Sequence, residues 1–235
     1  MTEPHRLTAT EAMALMKTGG LTVEGYAKSL LSRISERDHV VKAWAYLNPE
    51  FVLAQAKKLD QIPPEKRGPL HGVAIGVKDV ILTKGACIAS PPTEGANKQA
   101  DMPTGYHSDI YRNDPPVLVD AAPIITLRAA GALIFGKTTT TEFASVSDGG
   151  PATNPHDHTR TPGGSSSGSG AAVGDFQVPI GLGTQTGGST IRPGSFNGIY
   201  AMKVCKLVSI VHEEKLMGPS QLGARYRAKD LPSTP

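Results

Sequence analysis

A chain of 235 residues, 39% of them hydrophobic, has room for one large domain with its own core. Its net charge of +3 gathers into no basic block, which argues against nucleic acid as a partner. The N-terminal MTEPHRLTATEA lacks the apolar core of a secretory leader, and the most apolar long stretch, residues 116–135, is interrupted by Asp120 and Arg128, so no membrane association is expected. Cys87 and Cys205 make neither a disulfide framework nor a metal site, and the chain reads as a cytoplasmic protein with no cofactor and no metal.

Taken in order, Thr8-Ala9-Thr10-Glu11 is a capping box that opens a short helix, which Gly19-Gly20 ends. A second helix follows Thr22 and places Tyr26, Leu30, Leu31 and Ile34 on one face. Residues 43–47 read as extended. Asn48-Pro49 starts a third helix toward Leu59, with Phe51, Leu53 and Ala54 expected inside. After a proline-rich loop, residues 73–82 form a strongly apolar strand that contains Lys78. That lysine either snorkels at a strand end or is buried with a lowered pKa, as a neutral amine able to take a proton. Residues 85–100 have Gly, Pro and no periodicity, and read as a loop-like insertion. Asp120 is expected to cap a helix running through Ala130, with Gly131 as its stop and residues 132–135 as a buried strand.

Two short motifs in the middle of the chain mislead. Gly131 to Thr138 matches G-x-x-x-x-G-K-T, but a phosphate loop needs a strand before its first glycine and a polar curl between the two. Here a helix precedes and Ala-Leu-Ile-Phe is strand material, so a nucleotide binder is a remote alternative. Gly164-Ser165-Ser166-Ser167-Gly168 satisfies G-x-S-x-G, yet a turn rather than a strand leads into it, and His156 and His158 read as exposed loop residues rather than bases.

The stretch from Thr161 to Pro193 carries the strongest signal. Two clusters, Gly163-Gly164-Ser165-Ser166-Ser167-Gly168 and Gln185-Thr186-Gly187-Gly188-Ser189, flank a short apolar strand at residues 178–182. A flexible Gly/Ser linker does not normally enclose such a strand, so a site is the favoured reading. Small residues let several backbone N–H groups point at one place, which is what a developing oxyanion needs, and a serine closing such a turn is a nucleophile in search of a base. Residues 199–203 read as a further strand.

This stretch resembles the amidase signature family of serine hydrolases, together with the lysine segment Gly72-Val73-Ala74-Ile75-Gly76-Val77-Lys78-Asp79. The resemblance runs from near Leu7 to Lys203 and implies an α/β fold, the N-terminal part of an α/β/α domain on a mixed central sheet. It assigns Lys78, Ser165 and Ser189 as a Ser–Ser–Lys triad, with a cis peptide before Ser165. The backbone N–H groups of Thr186, Gly187, Gly188 and Ser189 become the oxyanion hole. Arg192, three residues past the nucleophile, is assigned either to a substrate carboxylate or to a structural ion pair. The implied activity is hydrolysis of a small-molecule carboxamide to an acid plus ammonia or an amine through an acyl-enzyme. An inactive amidase fragment that acts by interaction is the alternative, and oligomeric state stays open. Gln185 stands where relatives often have an acid, Thr190-Ile191-Arg192 has one residue more than usual, and Asn197 stands where cysteine is common. Residues 1–203 are read as the family part, truncated relative to the family, and residues 204–235 as a divergent, disordered tail.

Overall fold

The computed structural model describes residues 3–85, 102–111 and 117–204. The expected insertion and tail fall almost wholly outside these residues, as do both cysteines.

Local chemistry sets the first helices. Thr8 accepts from the Glu11 N–H while the Glu11 carboxylate accepts from the Thr8 N–H, a closed capping box at the start of α1 (Ala9–Thr18). Gly19 ends it in the left-handed conformation, φ +77°. Thr22 accepts from the Gly25 N–H and caps α2 (Val23–Val41), which buries Val23, Tyr26, Ala27, Leu30, Ile34 and Val41. Strand β1 (Trp44–Leu47) follows, and Asn48 caps α3 (Pro49–Asp60). The buried residues of α3 are Val52 and Ala56, one position out of phase with the expected set; Ala54 is exposed.

The remaining elements are β2 (Ala74–Lys78), α4 (Ala122–Ala129), β3 (Leu133–Thr138), α5 (Ser167–Gly174), β4 (Ile180–Leu182) and α6 (Ile191–Phe196). β2 stops at Lys78 rather than running on to Leu82, because the next residues turn: Val80 and Ile81 both donate to the Lys78 carbonyl. Ala121 rather than Asp120 takes the cap position of α4. Asp120 instead accepts from the Lys84 N–H and pairs with Arg128.

Among the described residues these strands form one mixed sheet in the order β1-β3-β2-β4. β2 is parallel to both neighbours and β1 is antiparallel to β3. One face carries the core of Tyr26, Leu30, Leu133, Phe135, Ala171, Ala172 and Val178; the other carries Ile75, Val77, Met102, Ile124 and Ile134. Helices on both sides of a mixed sheet make this an α/β fold with the layering expected.

The β2–β3 register slips once. Ile75 pairs with Ile134 and Gly76 with Gly136, so Phe135 is an extra residue in β3. A bulge reverses the in-and-out alternation beyond it. Lys137 therefore sits beside Val77 and Thr138 beside Lys78.

Residues 199–203 are not a strand. Tyr200 is fully exposed and Met202 is 79% exposed; no described neighbour offers them a ladder, and a strand without one leaves its backbone groups to water.

Candidate active site

Lys78 ends β2 at the middle of the sheet and is fully buried. Its Nζ donates to Ser165 Oγ at 2.7 Å and to Thr184 Oγ1 at 2.9 Å. With no carboxylate in this contact set, burial pulls its pKa down to about 7. The snorkelling alternative does not describe this lysine.

Ser165 is fixed by its own backbone. The Gly164–Ser165 peptide is cis, as the resemblance implies. The Ser165 carbonyl accepts from Thr141 N–H and Thr140 Oγ1, and Gly164 N–H donates to the Ser147 carbonyl at 2.8 Å. α5 begins just after, and its start lies backbone against backbone on the end of β3. A Cβ on Gly168 would collide with the Ala43 carbonyl oxygen and the Thr139 backbone, so only glycine fits. The serine–glycine run is thus the closely packed entry to a helix, and a flexible linker is excluded for a reason of space.

The second cluster continues from β4. Ser166 N–H donates to the Ser189 carbonyl at 3.1 Å, and Ser166 Oγ donates to the Thr184 carbonyl at 3.2 Å. Lys78 and Ser165 therefore touch through side chains, while Ser189 is tied to them through backbone. Thr186, Gly187, Gly188 and Ser189 form one wall of a cleft of about 450 Å³. Residues 144–147 and Arg192 complete its lining. Arg192 Nη1 donates to the Gly164 carbonyl at 2.7 Å, so its first partner is the serine turn itself rather than an acid.

Three residues that sequence reading left without a role gain one. Thr184 is the second acceptor for Lys78; its only sequence signal is a hydroxyl just beyond a strand that runs parallel to β2. Gln185 Oε1 accepts from the N–H groups of Thr190 and Ile191, at 2.8 and 2.9 Å, so a neutral carbonyl caps the start of α6. Asn197 is buried and its Nδ2 donates to the Pro162 and Pro193 carbonyls, at 2.8 Å each, joining the serine turn to α6.

The two misleading motifs resolve as well. Residues 133–138 are strand β3, not a loop, and Lys137 is buried against Asp79, out of reach of a phosphate. The nucleotide alternative is thereby set aside. His156 bonds the Asn197 carbonyl at 3.1 Å and is mostly exposed, as is His158. Among the described residues there is no group of three His, Cys, Asp or Glu able to hold a metal, and no helix long and apolar enough to cross a membrane.

The mixed sheet thus brings the buried amine of Lys78 against Ser165, which follows a cis peptide, and sets both beside a glycine turn that ends in Ser189. The amidase family model matches residues 26–92 and 96–208, most of the chain, and the chain belongs to that family. It is 38% identical over 210 residues to the A subunit of the glutamyl-tRNA(Gln) amidotransferase of Chloroflexus aurantiacus, covering 86% of this chain and 40% of that protein. The corresponding protein of Symbiobacterium thermophilum is 40% identical over 205 residues, covering 84% of this chain and 38% of that one. Among solved structures, the native peptide amidase of Stenotrophomonas maltophilia superimposes with a TM-score of 0.68 at 29% identity, over 82% of this chain and 39% of that one. The chain thus spans about two fifths of the length of the relatives it matches.

Proposed function

We propose that this protein is an amidase that cleaves a small carboxamide to an acid and ammonia or an amine, through an acyl group carried on Ser189. The observation that carries this reading is the buried Lys78 amine, with its pKa near neutrality, bonded to Ser165 beside the Ser189 turn. Neutral Lys78 takes the proton of Ser165 as Ser165 takes that of Ser189, and the Ser189 oxygen attacks the amide carbonyl. The N–H groups of Thr186, Gly187, Gly188 and Ser189 receive the oxyanion, each donor worth about 3–4 kcal/mol. The proton passes to the departing nitrogen, and water then releases the acid by the reverse relay. Arg192 lines the cleft with one nitrogen engaged by Gly164, so a substrate carboxylate would meet the rest of its guanidinium.

The family membership and the amidase and amidotransferase relatives support amide chemistry in general; the Lys78–Ser165 bond supports the first step of the relay, and the role of Ser189 rests on the resemblance to the family. A cytoplasmic setting and a free small-molecule substrate belong to the same proposal. The test is labelling of the 235-residue chain with a fluorophosphonate probe, mapped by mass spectrometry, with Ser189→Ala as control. Labelling at Ser189 supports the reading. Absence of labelling in a folded sample favours the alternative of an inactive interaction module, to which the exposed Phe196, Tyr200 and Met202 lend support.

A further inference from the structure

The lysine of the phosphate-loop look-alike has a setting that the proton relay does not use. Lys137 is fully buried, and its Nζ meets Asp79 Oδ1 at 3.1 Å, Thr104 Oγ1 at 2.6 Å and the Pro103 carbonyl at 3.2 Å. All three N–H groups of an ammonium are thereby accounted for. Asp79 in turn accepts from the Gly105 N–H at 3.1 Å. Burial pulls Lys137 down to about 8 and pushes Asp79 up, while their pairing opposes both shifts. A buried pair of this kind is weak evidence of stability in itself, since apolar residues of the same volume often serve as well. Its placement is more telling.

Asp79 directly follows Lys78, and the bulge at Phe135 turns Lys137 away from the Lys78 side of the sheet and onto that of Val77. From Asp79 a backbone chain leads outward. Its carbonyl accepts from Tyr106 N–H at 3.0 Å, and the Tyr106 carbonyl accepts from Phe143 N–H at 3.0 Å. The residues after Phe143, 144–147, line the same cleft as Ser189. Tyr106, Phe143 and Ala144 all have left-handed backbones, with φ of 53°, 50° and 56°, conformations that side-chain-bearing residues hold only where their surroundings enforce them. The rings of Tyr106, Tyr111 and Phe143 pack together, with centroids 5.0 to 6.4 Å apart.

We infer that Asp79 and Lys137 are positioning residues: their ion pair clamps residues 103–106 to the end of β2, and through Tyr106 and Phe143 holds residues 144–147 in place in the lining of the cleft that Ser189 shares. This deepens the amidase reading and rests on it, since residues 144–147 share the cleft of Ser189, where an acyl group carried on that serine would meet them.

The test compares the native chain with Asp79→Asn/Lys137→Met, which removes both charges and leaves neither orphaned, and with the milder Thr104→Val. Hydrogen exchange gives a readout that needs no activity. Amides of residues 102–106 and 141–147 are expected to exchange at least tenfold faster in the double variant, and less so in Thr104→Val, while Ser166 and Thr139 keep their protection. Unchanged protection at 141–147, or an equal loss along the whole chain, overturns the inference. A second readout is the preference between p-nitroanilides of acetate and decanoate. The ratio of their kcat/KM values is expected to change at least tenfold in the double variant, and an unchanged ratio counts against the inference. A native chain that turns over neither anilide leaves the amidase reading to the labelling of Ser189, whose absence counts against that reading alone, and hydrogen exchange still decides the role of the pair.

Discussion

Replacing Lys78 by methionine removes the amine and leaves an unbranched side chain one heavy atom shorter, and its effect on stability should depend on pH in a defined way. The fall from an ordinary lysine value of 10.5 to about 7 corresponds to about 5 kcal/mol between the charged and neutral forms in the folded protein. Between pH 7 and 10.5 the unfolded chain holds a proton on Lys78 that the folded chain does not, so raising the pH favours folding. The native protein should therefore gain on Lys78→Met by about 1.4 kcal/mol per pH unit over that window. The gain is lost progressively as pH falls from 10.5 to about 7, and below about 7 the folded state carries a buried ammonium and the two curves run parallel. Lost hydrogen bonds to Ser165 and Thr184 add a constant offset that does not disturb the slope. Urea unfolding of both proteins at half-unit steps from about pH 6 to about pH 10 measures it, and the difference cancels other titrating groups, Lys137 included. Two parallel stability curves would refute the reasoning, since they would mean that Lys78 keeps an ordinary pKa and is a cation at neutral pH.

Other outcomes follow from the same geometry. Ser189→Ala should abolish fluorophosphonate labelling, whereas Ser165→Ala should slow it by about 10²–10⁴-fold, the usual span for a proton-transfer group; equal labelling of native protein and Ser189→Ala would remove the nucleophile assignment. Gly168→Ala drives a Cβ into the Ala43 carbonyl oxygen and should cost at least about 1–3 kcal/mol in urea unfolding, with a neutral result showing that α5 can slide off β3. Asn197→Leu strips the Pro162 and Pro193 carbonyls of a buried donor and should cost about 1–3 kcal/mol, visible as a lower urea midpoint. Asp38 is pushed up to about 6, chiefly by burial, so its contribution to stability is present at low pH and lost as pH rises through 6. Asp38→Asn should then stabilise the protein at about pH 7.5 and not at about pH 4, and the reverse order in thermal melts would count against this.

What could be read from the sequence was local or carried by motif. The Thr8, Thr22 and Asn48 caps follow from side-chain chemistry within three residues, and they fall where the pattern puts them. Lys78 and Ser165 could be paired only because their two segments together resemble the amidase signature; taken alone, Lys78 stayed open between a snorkelling and a buried lysine. The bulge at Phe135 was not legible, because Leu-Ile-Phe reads as continuous strand and the slip exists only relative to β2. Thr184, Gln185 and Asn197 escaped for a similar reason: a hydroxyl, an amide and another amide announce nothing until the partners that fold against them are known. Residues 199–203 erred the other way, since apolar alternation describes a strand only where an edge is free to receive it.

The bonds from Lys78 to Ser165 and Thr184 join segments 87 and 106 residues apart along the chain. Contacts this remote form late, because a long loop must close before any bond compensates for it. A nascent polypeptide would pass most of its synthesis with the amine of Lys78 exposed, protonated and inert, and would acquire a neutral amine only when β4 settles beside β2. Chemical competence at Ser189 would then report on the last stage of folding, and covalent labelling could count fully folded molecules in a mixed sample.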